Sequence, residues 1–598
     1  MASRVVRRPF LAVLAVLLAA LSAAGCVSMP SGGPVVSYPV TQGAESQDQP
    51  FVQIVPKPPG AGWNPSQIVQ GFLTASASFG NNSEVALEYL TPQERKSWNP
   101  LWSAVVYKDG PNVAGTAAPV TGAKNTVTVL VSGQEQANLQ GNGSYSVPFA
   151  SGSPSEADQS FQLVKQADGQ WRISDAPPDL LLTSDSFNSD YQLRNLYFFD
   201  PTGHSLVPDP VYVPVRTSSP VLMNGLVSDL ISPPRDWLSG GATKTTLPKG
   251  TKISSVTLDG VTAVVNLTGT IAKADNETME HVSAQLLWTL RPAQSQATGQ
   301  AVQAVEVEVN GKPWTPPDSQ GNPVQHQSEL GPPSGQTSVF YYVDSAGWLT
   351  SRDGAAGKPV QVMRLGTGFT QIAVSPDGRY LAALRGDTLY TGLVGGIGDS
   401  GLTKRGTGYV SVSWDPGDNL WASAGSQIFM FRPTNDSLRP LGQQVAVAVN
   451  AAGAKNMSVP FGELRVAPDG VRVAMIMDSG SVVLTFGAIS GQAGPSPQIA
   501  LSQVQLTPLN ATQFTGVSWY GPDNVITLAA PGPVATEYPV SGGSTTSIPV
   551  FSGMQSITAS SKNLLVAALP KNALATDVSV NGSWTKLPES GTAPAYPG

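Results

Sequence analysis

The chain has 598 residues, enough for several domains at roughly 100–200 residues each. Only 13% of them are charged, against about 25% in an average soluble protein, and 61 Gly and 51 Pro point to a strand- and loop-rich fold. A net charge of −7 without a long basic run excludes the footprint of a nucleic-acid binder, a single cysteine excludes an internal disulfide, and His204, His281 and His326 lie too far apart for metal-ligand spacing.

Residues 1–25 read as an export signal. Arg4, Arg7 and Arg8 form a cationic start, and residues 10–21 are uncharged and apolar, too few to span a bilayer comfortably. Ser22, Ala23, Ala24 and Gly25 then precede Cys26, an order that resembles the lipobox of bacterial lipoproteins, with Ala23 where Leu is usual. The resemblance implies cleavage before Cys26, an S-diacylglycerol on its thiol and an N-acyl chain (palmitate) on its amine. Two or more chains hold a membrane firmly, whereas one holds it marginally. The plain alternative is ordinary signal-peptidase cleavage near Ala24, leaving a free thiol. Residues 26–60, rich in Ser, Pro, Gly and Gln, have too little clustered apolar surface to fold and are expected to form a disordered tether.

Residues 61–190 are expected to form an α+β unit. Asn64, Pro65 and Gln67 give an N-cap, Pro at N1 and Gln at N3, before the helical stripe Ile68, Val69, Phe72 and Leu73. Thr91-Pro92-Gln93-Glu94 repeats the capping signal. Strands follow at residues 126–131 and in a hairpin whose arms, 161–165 and 171–173, flank Ala167-Asp168-Gly169. Helices followed by a curved antiparallel sheet are similar to the cone of the nuclear transport factor 2 superfamily.

Residues 191–320 form a second α+β unit: a strand at 211–215, a helix at 220–231, and a hairpin at 256–267 turning on Asp259-Gly260. A further helix carries Val282, Leu286 and Leu290 inward, and Val305, Val307 and Val309 alternate with Glu306 and Glu308 before Asn310-Gly311. The phrase Leu247-Pro248-Lys249-Gly250-Thr251-Lys252-Ile253 resembles the GerMN domain, a non-catalytic module of spore-germination and envelope proteins.

Residues 337–598 repeat a strand–turn–strand phrase. Copies lie around Pro376-Asp377-Gly378, Trp414-Asp415-Pro416-Gly417, Pro468-Asp469-Gly470 and Trp519-Tyr520-Gly521-Pro522, with a weaker one at 557–568. A spacing of about 40 to 54 residues suits four-stranded blades, so a β-propeller of five or six blades is expected. The fold class is therefore multidomain and mostly β.

The order of lipobox, tether, cone, GerMN unit and propeller resembles the LpqB lipoproteins of actinobacteria over nearly all of the mature chain. Phe198-Phe199-Asp200-Pro201, the run from Ser283 through Gln285, Trp288 and Thr289 to Leu290, and Pro233-Pro234-Arg235-Asp236-Trp237-Leu238 carry the likeness. It implies an exported lipoprotein on the outer face of the cell membrane. There it would contact the extracellular domain of the sensor kinase MtrB and modulate the MtrA–MtrB two-component system, with effects on cell division and envelope homeostasis.

No Walker A loop, H-E-x-x-H or G-x-S-x-G occurs, so no enzyme and no cofactor are expected. His281 sits on an apolar helix with no evident nucleophile. Asp377 and Asp469 are candidates for a cation in a propeller channel, against the plainer role of closing turns. Trp348, Trp414 and Trp519 are candidates for stacking on sugars, against blade packing. An envelope-glycan binder or weak hydrolase is thus the alternative to the kinase regulator.

Overall fold

The computed structural model describes residues 57–598 apart from 78–82, 99–102, 116, 122, 124, 148–155, 216–218, 236, 293–300, 316–329, 334–336, 396–400, 435–440, 451–458, 479–481, 502–506, 509–512, 531–533, 551–552, 562–563 and 578–583. The export signal, Cys26, nearly all of the tether, Asp236 and His326 lie outside the described residues.

The first helix starts where its capping signal places it. Asn64 Oδ1 accepts from the Gln67 amide and Gln67 Oε1 from the Asn64 amide, both at 2.9 Å, which satisfies donors a helix start leaves open. Helix Pro65–Ala77 then buries Ile68, Val69, Phe72 and Leu73. Thr91 Oγ1 accepts from the Glu94 amide at 3.2 Å, although the helix it starts, Glu94–Ser97, is a single turn. One sheet runs Tyr145–Ser146, Glu135–Leu139, Ala104–Tyr107, Leu180–Thr183; the other runs Asn112–Val113, Thr126–Ser132, Gln159–Lys165, Trp171–Asp175. Phe72 meets Phe161 and Trp98 edge-on at 5.8 and 5.1 Å, tying helix to sheet.

In the second unit, helices Ser219–Ile231 and Asn276–Leu290 share a core with a sheet ordered Thr251–Asp259, Thr262–Gly269, Ala304–Val309, Lys312–Pro313. Val282, Leu286 and Leu290 are fully buried, as their spacing predicts. The hairpin turn differs from the expected Asp-Gly pair. Asp259 pairs with Thr262, so the loop is Gly260-Val261, and Gly260 at φ +60° supplies the left-handed first position of a type II′ turn. Asn310 and Gly311, at φ +54° and +75°, instead form the two-residue loop with both positions left-handed.

The third unit is a propeller of six blades. Five are continuous in sequence and run over residues 371–406, 411–450, 461–501, 513–549 and 556–595. The remaining blade joins Val339–Asp344, Trp348–Asp353 and Val360–Arg364 to the end of the chain. Strand Thr585–Ala595 pairs with Ala573–Asp577 through its first half and with Val339–Asp344 through its second, which closes the ring. The Gly598 amide donates to Val374 O at 2.9 Å and secures the closure.

The repeated Ser-Trp pairs explain the blade seams. Trp414 Nε1 donates to Ala373 O in the preceding blade, and Trp519 Nε1 to Arg465 O in its own preceding blade, both at 3.0 Å. The serine before each Trp faces the other way: Ser413 Oγ accepts from the Val466 amide at 3.0 Å and Ser518 Oγ from the Ala559 amide at 2.9 Å. With 1% and 7% of their surfaces exposed, Trp414 and Trp519 are not sugar platforms.

Candidate functional site

The three units meet on a two-stranded ribbon, Tyr191–Phe199 paired antiparallel with Leu206–Pro214 through nine residue pairs. An isolated ribbon has two open edges, each a row of unpaired backbone groups. Here both are managed. Residues 208, 210 and 214 are prolines on alternate positions of one strand, so they share its outer edge and have no N–H to leave open. The two amides left between and before them are taken: Tyr212 N donates to Gly143 O of the first unit at 2.9 Å, and Leu206 N to Gly331 O at 3.3 Å.

The other edge is bound by the second unit. Thr289 Oγ1 accepts from the Tyr197 amide at 3.1 Å, Gln285 Nε2 donates to Tyr197 O at 2.8 Å, and Phe199 exchanges backbone bonds with Lys244. Gln285 and Thr289 are fully buried polar side chains, and these bonds are why helix Asn276–Leu290 tolerates them. Phe198 and Phe199 are fully buried, and Asp200 turns the chain by accepting from the His204 and Ser205 amides at 2.8 Å.

The segment after helix Ser219–Ile231 locks ribbon to propeller. Arg235 Nε donates to Asp209 Oδ1 at 2.9 Å, its Nη2 reaches the same carboxylate and Pro210 O, and Nη1 donates to Ser144 Oγ of the first unit at 3.3 Å. Asp209 has no exposed surface. Leu238 packs with Val207 of the ribbon and with Val471 and Ala488 of the blade at residues 461–501. Asp229 lies close by, and burial pushes its carboxyl up to about 6, with Arg235 opposing and Asp209 adding to the rise.

Aromatic rings close the opposite side. Tyr145, Phe187 and Tyr212 meet pairwise at 5.0–5.2 Å, and Phe187 stacks on Tyr191 at 5.0 Å. Tyr212 Oη donates to Gly542 O of the propeller at 2.8 Å, and Asn195 Nδ2 to Asp523 Oδ2 at 2.9 Å. Burial raises the Tyr212 hydroxyl above its ordinary value, so it remains a donor.

The remaining candidates serve structure. Asp377 accepts from Ser375 Oγ at 2.5 Å and the Arg379 amide at 2.9 Å, and Asp469 accepts from the Val471 and Arg472 amides at 2.9 Å; both close turns. Among the described residues no three His, Cys, Asp or Glu side chains are grouped as metal ligands. His281 Nε2 donates to Gly203 O at 3.1 Å and abuts Phe199 edge-on; Thr202 Oγ1 gives its proton to Asp200 Oδ2 and accepts from His204 Nδ1 at 3.0 Å, so neither ring is placed as a base on a hydroxyl. Trp348 is half-buried at the start of its strand. The junction lines a small, partly open cavity of about 20 Å³; ligand pockets run to about 300–1,000 Å³. This site binds the chain to itself.

The junction was the part missed in the sequence. Its signal is the run from Leu206 to Val215, apolar apart from Asp209, without alternation and with prolines on one parity, the mark of a strand covered on both faces.

Residues 58–188 match the family model for the lipoprotein LpqB N-terminal domain, residues 195–315 the model described as sporulation and spore germination, and residues 347–597 the lipoprotein LpqB beta-propeller domain. Lipoprotein LpqB of Thermobifida fusca is 29% identical, covering 100% of this chain and 99% of its own, and that of Streptomyces coelicolor is 28% identical over 99% and 98%. A solved nidogen–laminin complex is similar over 44% of this chain and 98% of its own at 9% identity and TM-score 0.32, too loose a likeness to bear on the fold. With LpqB models at both ends and relatives aligned from end to end, the chain belongs to the LpqB family of lipoproteins.

Proposed function

We propose that this protein is a non-catalytic lipoprotein, anchored by lipid on Cys26 to the outer face of the cell membrane, that binds the extracellular domain of the sensor kinase MtrB and modulates its signalling. The membership of the whole chain in the LpqB family carries the reading. The buried polar side chains at the junction are engaged in holding units together, Gln285 and Thr289 on the ribbon edge and Asp209 on Arg235. The propeller offers a broad surface for a protein partner. With Trp414 and Trp519 buried in blade seams, the glycan-binding alternative loses two of its three stacking residues.

A pull-down from detergent-solubilised membranes tests this, with the lipidated protein as bait and the MtrB extracellular domain as the expected catch. Stoichiometric, specific capture supports the proposal. An empty result with both the lipidated protein and the soluble chain from Ser28 removes it. Mass spectrometry of the mature N-terminus tests the anchor separately: a free thiol on Cys26 overturns lipidation.

A further inference from the structure

We infer that the cavity at the junction is a binding site for one ordered water, held by Arg472 and bridging the ribbon, the proline segment that enters the propeller, and the propeller itself. Arg472 has 2% of its surface exposed. Its Nε donates to Asp469 Oδ2 and its Nη2 to Pro522 O, both at 2.6 Å, and its guanidinium lies 5.1 Å from the centre of the Trp519 ring. Nη1 has no acceptor among the described residues. A guanidinium always carries its protons, so Nη1 presents two N–H groups to its surroundings and cannot shed them. Burying such a donor without a partner is costly, and native proteins resolve it with a protein acceptor or a buried water.

The cavity supplies what a water needs. Its walls include Pro208 of the ribbon, Pro332 and Pro333 of the incoming segment, and Pro468 and Pro522 of the blade turns. Prolines offer carbonyl oxygens and no N–H. A water there accepts from Nη1 and donates to oxygens of the walls, and none of these prolines competes for it as a donor. The volume of about 20 Å³ holds a water, which needs roughly 10–15 Å³ by that measure, and admits no larger ligand. Residues 330–333 are themselves fastened beside it, Leu330 O accepting from Trp288 Nε1 at 3.0 Å and Gly331 O from Leu206 N at 3.3 Å.

An experimental structure of the full protein, at a resolution that shows ordered solvent, decides the matter. The expected result is a single solvent peak within hydrogen-bond distance of Arg472 Nη1 and of at least one oxygen of the cavity wall. A cavity without that peak, or an Nη1 bonded directly to a turned proline carbonyl, overturns the inference. Arg472→Met, which keeps much of the stem and removes the donor, should lose the peak; a peak that persists unchanged would show that Arg472 does not hold the water. Should that variant not fold, the parent structure alone decides.

Discussion

The blade seams and the three-way junction both hold extended chain in place, by opposite strategies. At the seams one device recurs: a Trp indole donates back to the preceding blade while the neighbouring serine clips the next. At the junction every contact occurs once. Alternate prolines silence one ribbon edge, Gln285 and Thr289 take the other, and Arg235 joins Asp209 to Ser144. A repeated device tolerates drift in any one copy because its neighbours restate it. A single-copy device concentrates its energy in a few polar partners, so breaking one should free a whole unit.

Two substitutions test that contrast. Trp414→Ala removes a side chain with 1% exposure that stacks on Tyr380 at 5.7 Å, and should cost about 4 kcal/mol in urea-induced unfolding. The loss should appear as cooperative weakening of the ring; a cost under about 1 kcal/mol would mean the seam is not packed as described. Asp209→Ala leaves Arg235 facing its lost partner with 12% of its side chain exposed and should cost about 3 kcal/mol. Its signature is local. Limited proteolysis should cut first around residues 233–242, with the propeller intact, and cleavage beginning in the blades would collapse the distinction between the two regions.

The same contrast explains what could be read from the sequence. The propeller was legible because Val412-Ser413-Trp414 and Val517-Ser518-Trp519 restate each other, and the blade count settled at six only because Thr585–Ala595 serves two blades at once, which no local pattern announces. The capping box at Asn64 and Gln67 was legible because its partners are three residues apart. Asp209 and Arg235 are 26 residues apart and Tyr212 and Gly542 are 330 apart, so nothing local pairs them. Even the Asp259-Gly260 reading, local as it was, slipped by one residue because strand register decides which two residues form the loop.

Acidity offers a third, smaller test. Burial holds the Asp229 carboxyl at about 6 in the folded protein, against 3.8 for an ordinary aspartate. Between those values the folded state binds the proton that the unfolded state has released. Stability contributed by Asp229 is therefore fully present below about pH 4, is lost as pH rises toward 6, and stays lost above. Asp229→Asn should gain about 2 kcal/mol at pH 7, allowing for partial exposure, and little at pH 4. Urea midpoints of parent and variant should converge on acidification; curves that stay parallel from pH 4 to 7 would refute the assignment. Asp418 of the propeller is raised to about 6 by burial and by Asp377, so Asp418→Asn should remove its own share of the same dependence, leaving that of Asp415, which burial also raises.

The mildest test removes one hydroxyl of the junction. Tyr212→Phe keeps the ring among Tyr145 and Phe187 and deletes the hydroxyl, with its bond to Gly542 O at 2.8 Å and its longer contact with Ser541 Oγ at 3.3 Å, at a cost of about 1 kcal/mol. Gly543 is the counterpart. It sits at φ +101°, and a Cβ there would lie 2.5 Å from Tyr212 Oη, so Gly543→Ala suffers both backbone strain and collision. In the Tyr212→Phe background the collision is gone and the strain remains. The double variant should therefore be more stable than the two single losses predict when added, with a coupling of about 1 kcal/mol. Strict additivity would mean that the turn at Gly542 and Gly543 does not rest on Tyr212, and that the propeller is held to the ribbon chiefly through Leu238 and Asn195.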